Sequence, residues 1–209
     1  MLSSSDNKVI FVGLSGVGKT SIVQRRITNR FNRFQEPTIG AAYTTINEEI
    51  DKDTVVKFGV WDTAGQERYD SLTPLYFRGS RVVVVVFDLS KCDSFDKAKY
   101  WLEHIKKNYS EFIEGYVLVG SKCDLKSERK ITVEQAHNLA EKYGTHYYET
   151  SASTGEGISD VFKQIALILF NAPPLYETID VNNVFKPVGS PKPWRENCYG
   201  YVNTPSCSC

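Results

Sequence analysis

The chain has 209 residues, 41% hydrophobic and 24% charged, with Lys+Arg and Asp+Glu both at 25 and a formal net charge of +0. That length suits one domain with an appendage, and that composition suits a globular chain with a proper core. Nothing in the charge balance argues for nucleic acid or for a broad electrostatic hold on an acidic membrane. Residues 1–8 are polar and serine-rich, without the apolar segment of a secretory signal, and no apolar run is long enough to span a bilayer. The cysteines are Cys92, Cys123, Cys198, Cys207 and Cys209, with no CxxC pair of metal spacing. A reducing, cytosolic setting with free thiols is expected.

In chain order, Val9-Ile10-Phe11-Val12 predicts a short buried strand. Gly13-Leu14-Ser15-Gly16-Val17-Gly18-Lys19-Thr20 follows and matches G-x-x-x-x-G-K-[ST] at every fixed position. Its glycines admit backbone conformations that a Cβ opposes, so the loop's N–H groups can converge on phosphate oxygens. Lys19 can place a point charge on the β- and γ-phosphates, and the Thr20 hydroxyl can bind Mg²⁺. A helix over 20–27 points its N-terminal dipole at the same anion. The bland alternative is a chance glycine turn, which strand and helix context disfavours. The pattern says nucleoside triphosphate, and neither base nor reaction.

Residues 31–41, with Pro37 and Gly40, predict a loop. Strands over 42–51 and 54–61 follow, joined at Asp51-Lys52-Asp53; in the second, Val56, Phe58 and Val60 alternate with Val55, Lys57 and Gly59. Asp62-Thr63-Ala64-Gly65-Gln66 is read as the loop ending that strand. A short irregular helix is expected over 69–77. The β-branched run 82–87 predicts a central buried strand. Asp93 or Ser94 is expected to cap a helix with Ala98, Trp101, Leu102, Ile105 and Tyr109 on one face. Strands are expected at 116–119 and 146–149. Thr132-Val133-Glu134-Gln135 reads as a capping box opening a helix to about Tyr143 with Ala136, Leu139, Ala140 and Tyr143 inward. Val161, Phe162, Ile165, Ile168 and Leu169 stripe a last helix. Alternating strands and helices imply an α/β, doubly wound sheet with ligand loops at the carboxyl ends of its strands. From residue 172 prolines break any regular element, and residues 172–209 read as a flexible tail, as do residues 1–7 at the other end.

The loops after strands carry the remaining chemistry. Asp62 can reach Mg²⁺, Gly65 can give a backbone N–H to a γ-phosphate, and Gln66 can orient an attacking water. An ordinary strand-end turn is the alternative. Thr38 can be a second Mg²⁺ ligand, though a loop threonine is usually solvated. In Ser121-Lys122-Cys123-Asp124, the carboxylate of Asp124 can accept from guanine N1–H and its exocyclic amine, which adenine does not offer together. Backbone N–H groups of Thr150-Ser151-Ala152-Ser153 can meet guanine O6.

With the phosphate loop, Trp61-Asp62-Thr63-Ala64-Gly65-Gln66-Glu67-Arg68-Tyr69 and Tyr76-Phe77-Arg78-Gly79 in view, the chain resembles the Ras superfamily of small GTPases and, within it, the Rab branch, over residues 8–170. The resemblance implies a six-stranded, mostly parallel sheet with helices on both faces, a GTPase domain over 8–171, and GTP/GDP with Mg²⁺ as ligands. It implies nucleotide contacts at Ser15, Gly16, Val17, Gly18, Lys19, Thr20, Ser21, Phe31, Pro37, Thr38, Gly65, Ser121, Lys122, Asp124, Ser151, Ala152 and Ser153. Metal ligands would be Thr20, Thr38 and Asp62, and Gln66 with Lys19 would serve catalysis. Thr38-Ile39-Gly40-Ala41-Ala42-Tyr43 resembles the effector loop of endosomal Rabs. Effectors would read Ile39, Gly40 and the aromatic triad Tyr43, Trp61 and Tyr76; Trp61 and Tyr76 equally suit plain core packing. Cys207-Ser208-Cys209 resembles the Rab ending that carries two geranylgeranyl chains, which hold a membrane stably where one does not; stray exposed cysteines are the alternative.

The resemblance further implies an exchange factor, a GDP-dissociation inhibitor and a prenyltransferase escort, no nucleic-acid partner, and a monomer. The setting would be the cytoplasmic face of intracellular membranes, endosomal by the effector loop, with a cytosolic pool. The sequence offers no obvious arginine finger, so a GTPase-activating protein would supply one. Two departures stand out: Ser121 replaces the usual Asn of the guanine motif, and Ser153 replaces the usual Lys. Two rivals remain in view. One is a P-loop kinase of small metabolites, for which no acceptor site or lid is identifiable. The other is a GTP-binding scaffold that scarcely hydrolyses, against which Gln66 argues.

Overall fold

The structure, a computed structural model, describes residues 7–65 and 76–173. Gln66, the 69–75 part of the expected short helix, the 174–209 part of the tail, Cys198 and the Cys207–Cys209 pair lie outside the described residues. In chain order the elements are β1 (Lys8–Val12), α1 (Lys19–Thr28), β2 (Ala41–Glu49), β3 (Val55–Thr63), β4 (Ser80–Asp88), α2 (Cys92–Asn108), β5 (Gly115–Ser121), α3 (Val133–Tyr143), β6 (His146–Thr150) and α4 (Ile158–Asn171). A short 3₁₀ turn spans Lys126–Glu128.

The six strands form one sheet in the order β2-β3-β1-β4-β5-β6. Only β2 is antiparallel, to β3; every other pairing is parallel. The order turns back on either side of β1, and the phosphate loop leaves β1 at that crossing, where open α/β sheets bind ligands.

Strand periodicity divides the core in two. All nine residues of β4 are buried. Val82, Val84 and Val86 point to one face and pack with Ile22 and Val23 of α1 and with Val161, Phe162, Ile165 and Leu169 of α4. Val83, Val85 and Phe87 point to the other, against Phe95, Ala98, Leu102 and Ile105 of α2 and Ala136, Leu139 and Ala140 of α3. A strand covered on both faces reads as an unbroken apolar run, which is why 82–87 was legible and its polar ends were not. Each such side chain, taken fully from water, contributes about 1.5–3 kcal/mol.

Several boundaries differ from the sequence reading. β2 stops at Glu49, because the Ile50 N–H donates to the Thr54 carbonyl at 2.9 Å and closes the hairpin. β3 runs on through Asp62 and Thr63, which pair with Ala42 and Ala41, so the expected loop begins only at Ala64. β5 likewise extends through Ser121, which pairs with Asp88 and Thr150. Neither Asp93 nor Ser94 caps α2. The helix starts at Cys92 behind an extended Lys91 with no side-chain cap. The buried Ser94 hydroxyl is spent on tying the end of β4, accepting the Asp88 N–H at 2.9 Å. The capping box of α3 is present: Thr132 Oγ1 accepts from the Gln135 N–H at 3.1 Å, and Gln135 Oε1 accepts from the Thr132 N–H at 2.9 Å. No described helix is long and apolar enough to cross a membrane.

Candidate functional site

The loop between β1 and α1 is built on glycines that no other residue replaces freely. Gly13 has φ +145, and a Cβ there would lie 2.1 Å from the Val86 carbonyl oxygen of β4. Gly18 is the left-handed N-cap of α1 and makes no side-chain cap bond. The first-turn N–H groups of Lys19, Thr20 and Ser21 have no partner within the helix and face the ligand position. Lys19 is only 5% exposed. Its Nζ donates to the Gly13 carbonyl at 2.9 Å and the Leu14 carbonyl at 3.1 Å, so the loop closes around its own lysine. Burial pulls its pKa down to about 8, with the Asp62 carboxylate working the other way.

Three oxygens from three segments converge beside it. Thr20 Oγ1 donates to Asp62 Oδ2 at 2.5 Å, and Thr20 and Thr38 hydroxyls are 2.7 Å apart. Thr38 Oγ1 lies 3.5 Å from the same Asp62 oxygen. Asp62 is 3% exposed, its Oδ1 has no partner among the described residues, and burial raises its pKa. Hard oxygen donors with an orphaned carboxylate oxygen suit a small divalent cation. The Mg²⁺ expected at Thr20, Thr38 and Asp62 therefore fits the residues present.

Gly65 closes this end. A Cβ on it would lie 2.5 Å from the Leu14 carbonyl group and from Lys19 Nζ, so only glycine lets that backbone lie against the phosphate loop. The Ala64 N–H donates to the Gly40 carbonyl at 2.7 Å, joining the loop that carries Thr38 to the one that carries Gly65.

At the other end the Lys122 ammonium donates to the Gly16 carbonyl at 2.9 Å and to the buried Asp88 carboxylate at 2.6 Å. Asp88 was not foreseen. Burial pushes its pKa up, but the hydrogen bonds from Lys122 and Ser90 outweigh it and hold the carboxyl below the usual range. Its only sequence signal is a carboxylate closing an apolar strand. The Asp124 side chain is exposed at the cleft. Behind it, the Arg129 fork grips Glu149 and holds that carboxyl low, with Tyr147 O–H donating to Glu149 Oε1 at 2.8 Å. Cys123 is a free buried thiol whose pKa burial pushes up to about 11, and Cys92 is free and exposed.

Ser121 is 3% exposed. Its Oγ lies 2.5 Å from the Val17 carbonyl and 2.9 Å from the Phe87 carbonyl. The hydroxyl reaches the phosphate loop because β5 carries it up to that loop. Its one proton is spent there, leaving no donor for a base, where an asparagine amide has two donors and an acceptor. Ser121→Asn is expected to slow GDP release roughly tenfold, the equivalent of one hydrogen bond of about 1.4 kcal/mol. A fluorescent-nucleotide chase reads this directly; an unchanged rate means that another group already holds the base.

One cleft of about 580 Å³ joins the two ends. Of the expected nucleotide contacts it is lined by Ser15, Gly16, Gly18, Lys19, Thr20, Ser21, Phe31, Pro37, Thr38, Gly65, Ser121, Lys122, Asp124, Ala152 and Ser153. Val17 and Ser151 do not line it. The Val17 side chain is core, and Ser151 is buried with its Oγ accepting the Thr154 N–H at 3.1 Å. Asn32, Arg33, Gln35 and Glu36 line it as well and were missed, because polar residues in a loop carry no periodic signal. Outside the cleft, Ile39 and Tyr43 are exposed, and Trp61 is half-buried between Tyr43 and Tyr76, with ring centroids 5.4 Å and 6.4 Å away.

Comparison with known proteins agrees with this geometry. The family model described as Ras family matches residues 8–170. The chain is 42% identical over 178 residues to Ras-related protein RHN1 of Nicotiana plumbaginifolia, covering 83% of this chain and 88% of the relative. It is 41% identical over 167 residues to Ras-related protein Rab5 of Nicotiana tabacum, covering 80% and 82%. A phosphate loop at the sheet crossing, a metal-suited oxygen cluster and a base loop on one cleft are what such relatives predict, and the chain belongs to the Ras family of small GTPases, as a Rab-like member that binds GTP and GDP with Mg²⁺ and hydrolyses GTP.

Proposed function

We propose that this GTPase is a membrane-anchored switch of the endosomal Rab type, with a GTPase domain over residues 8–171 and a lipid-bearing tail. The observation that carries the switch is the Thr20–Thr38–Asp62 cluster. It ties the 29–40 loop to the phosphate loop, and the Ala64–Gly40 hydrogen bond hands the same constraint to Gly65. GTP adds the γ-phosphate that holds both loops; GDP and free phosphate leave that hold unmade.

Hydrolysis is positioning and electrostatics. The phosphate-loop N–H groups and Lys19 would hold the phosphates, and Gly65, whose backbone lies against the phosphate loop, can give its N–H to the γ-phosphate. Thr20, Thr38 and Asp62 would hold Mg²⁺, which would supply charge compensation for the phosphates. Gln66, two residues beyond Ala64, orients the water, and an activating protein adds an arginine. Asp124 selects guanine by its bidentate acceptor edge. Effectors would read Ile39, Gly40, Tyr43, Trp61 and Tyr76, of which the three rings pack in a row. Exchange factor, GDP-dissociation inhibitor and prenyltransferase escort serve the cycle. Cys207 and Cys209 carry two prenyl chains, which a chain of +0 net charge needs for stable membrane residence.

Two measurements on the full-length protein test this reading. Single-turnover phosphate release should occur with GTP and not ATP, and should stop when the metal is chelated. Cell fractionation should find the Cys207→Ser/Cys209→Ser double variant entirely in the cytosol. Equal use of ATP would return the metabolite-kinase reading, absent phosphate release the scaffold reading, and a double variant still on endosomal membranes would refute the lipid anchor.

A further inference from the structure

Among the described residues, three that line the cleft are cationic: Lys19, Arg33 and Lys122. Two are already engaged by the protein. Lys19 is held by the carbonyls of Gly13 and Leu14, and Lys122 by the Gly16 carbonyl and the Asp88 carboxylate. The Arg33 guanidinium is exposed and makes no hydrogen bond or ion pair with any described residue. Its anionic neighbours in the lining, Glu36 and Asp124, do not pair with it either.

Arg33 belongs to the segment between α1 and Thr38, which lines the same cleft as the phosphate loop. Thr38 pins the far end of that segment at the metal cluster, 2.7 Å from Thr20. Arg33 lies five residues back, towards Phe31, away from the Thr38 and Gly65 end where a γ-phosphate would sit. A guanidinium offers five donors in a planar fork that matches phosphate oxygens and is always charged. In the lining of a nucleotide cleft, with no partner among the described residues, its natural partner is the ligand's phosphate chain.

We propose that Arg33 is a nucleotide-holding residue that binds the phosphates GDP and GTP share, and so sets how slowly both leave. This rests on the reading of the cleft as a guanine-nucleotide site. The role is of a piece with the base end: the Ser121 proton is engaged with protein carbonyls, and Ser153 is short, so grip lost on the base is supplied on the phosphates. Removing the Arg33 charge leaves the lining with as many carboxylates as cations.

The experiment is release of fluorescent GDP and of a fluorescent non-hydrolysable GTP analogue from the wild type and from Arg33→Ala, Arg33→Lys and Arg33→Glu. It is run at low and physiological salt, beside single-turnover hydrolysis of GTP. The expected result is roughly tenfold faster release of both nucleotides from Arg33→Ala at low salt, for one partly screened charge-assisted contact. Arg33→Glu should release faster still and Arg33→Lys should lie between. The differences should shrink with salt, as an exposed charge is screened. Release equal to wild type in both Arg33→Ala and Arg33→Glu overturns the proposal. So does slower turnover with unchanged release, which would place the guanidinium on the transition state. A wild type that retains neither nucleotide would instead overturn the reading of the cleft, a distinguishable failure.

Discussion

Gly13→Ala is expected to cost far more stability than Gly16→Ala, although both glycines serve the same loop and both have positive φ. At Gly16, φ is +75 and nothing lies within 4 Å of a would-be Cβ. An alanine there meets only the backbone preference, about 1–2 kcal/mol. At Gly13, φ is +145 and the Cβ would sit 2.1 Å from the Val86 carbonyl oxygen. Neither atom can retreat, because Val12 of β1 is paired in register with Val85, next to Val86 in the central strand. Strain and overlap together should exceed about 4 kcal/mol, a large part of the ~5–15 kcal/mol of an ordinary domain. Urea unfolding of nucleotide-free protein compares the two. Gly16→Ala should keep a cooperative transition near wild type, while Gly13→Ala should unfold at a far lower urea concentration and bind GDP more weakly. Equal midpoints for the two variants would show that the β1–β4 contact yields more easily than its geometry implies.

Thr20→Asn should shift the preference for GTP over GDP by roughly a hundredfold, equivalent to about 2.8 kcal/mol. The Thr20 hydroxyl is the hub of the oxygen cluster, within 2.7 Å of both Asp62 Oδ2 and Thr38 Oγ1. An asparagine is longer and brings a neutral amide into the space between them. The loss falls mainly on the triphosphate state, where Thr38 must also be drawn in. GDP keeps the phosphate-loop N–H groups and Lys19, none of which the substitution removes. Dissociation constants for both nucleotides, with and without chelator, give the ratio. The chelator should abolish most of the difference between variant and wild type. A variant whose GTP/GDP ratio matches wild type with the metal present would take Thr20 out of the metal site. Held in its GDP form, the variant should also compete for the exchange factor.

Much of the molecule was legible along the chain because local physics acts there alone. Hydrophobic period set the six strands and the four described helices. The Thr132–Gln135 capping box announced α3, and the phosphate-loop octapeptide located the ligand. Errors gathered where a polar residue serves a neighbour in another element. Ser94 looked like a helix cap and is instead a tie to β4. Asp62, Thr63 and Ser121 looked like loop residues. Pairing with β2, and with β4 and β6, keeps them in strands.

By itself the sequence determined the fold class, the nucleotide loop and the family resemblance, since spacing and residue type are written within a few dozen residues at most. Only the tertiary structure decided what meets at the cleft. It brought Thr20, Thr38 and Asp62 within hydrogen-bonding distance from three segments. It spent the Ser121 proton on protein carbonyls, engaged Lys122 with Asp88, and left Arg33 in the cleft lining without a partner among the described residues. The physical reason is that a donor, an acceptor or a charge acquires its role from what faces it, and sheet order, not proximity along the chain, settles which groups face one another.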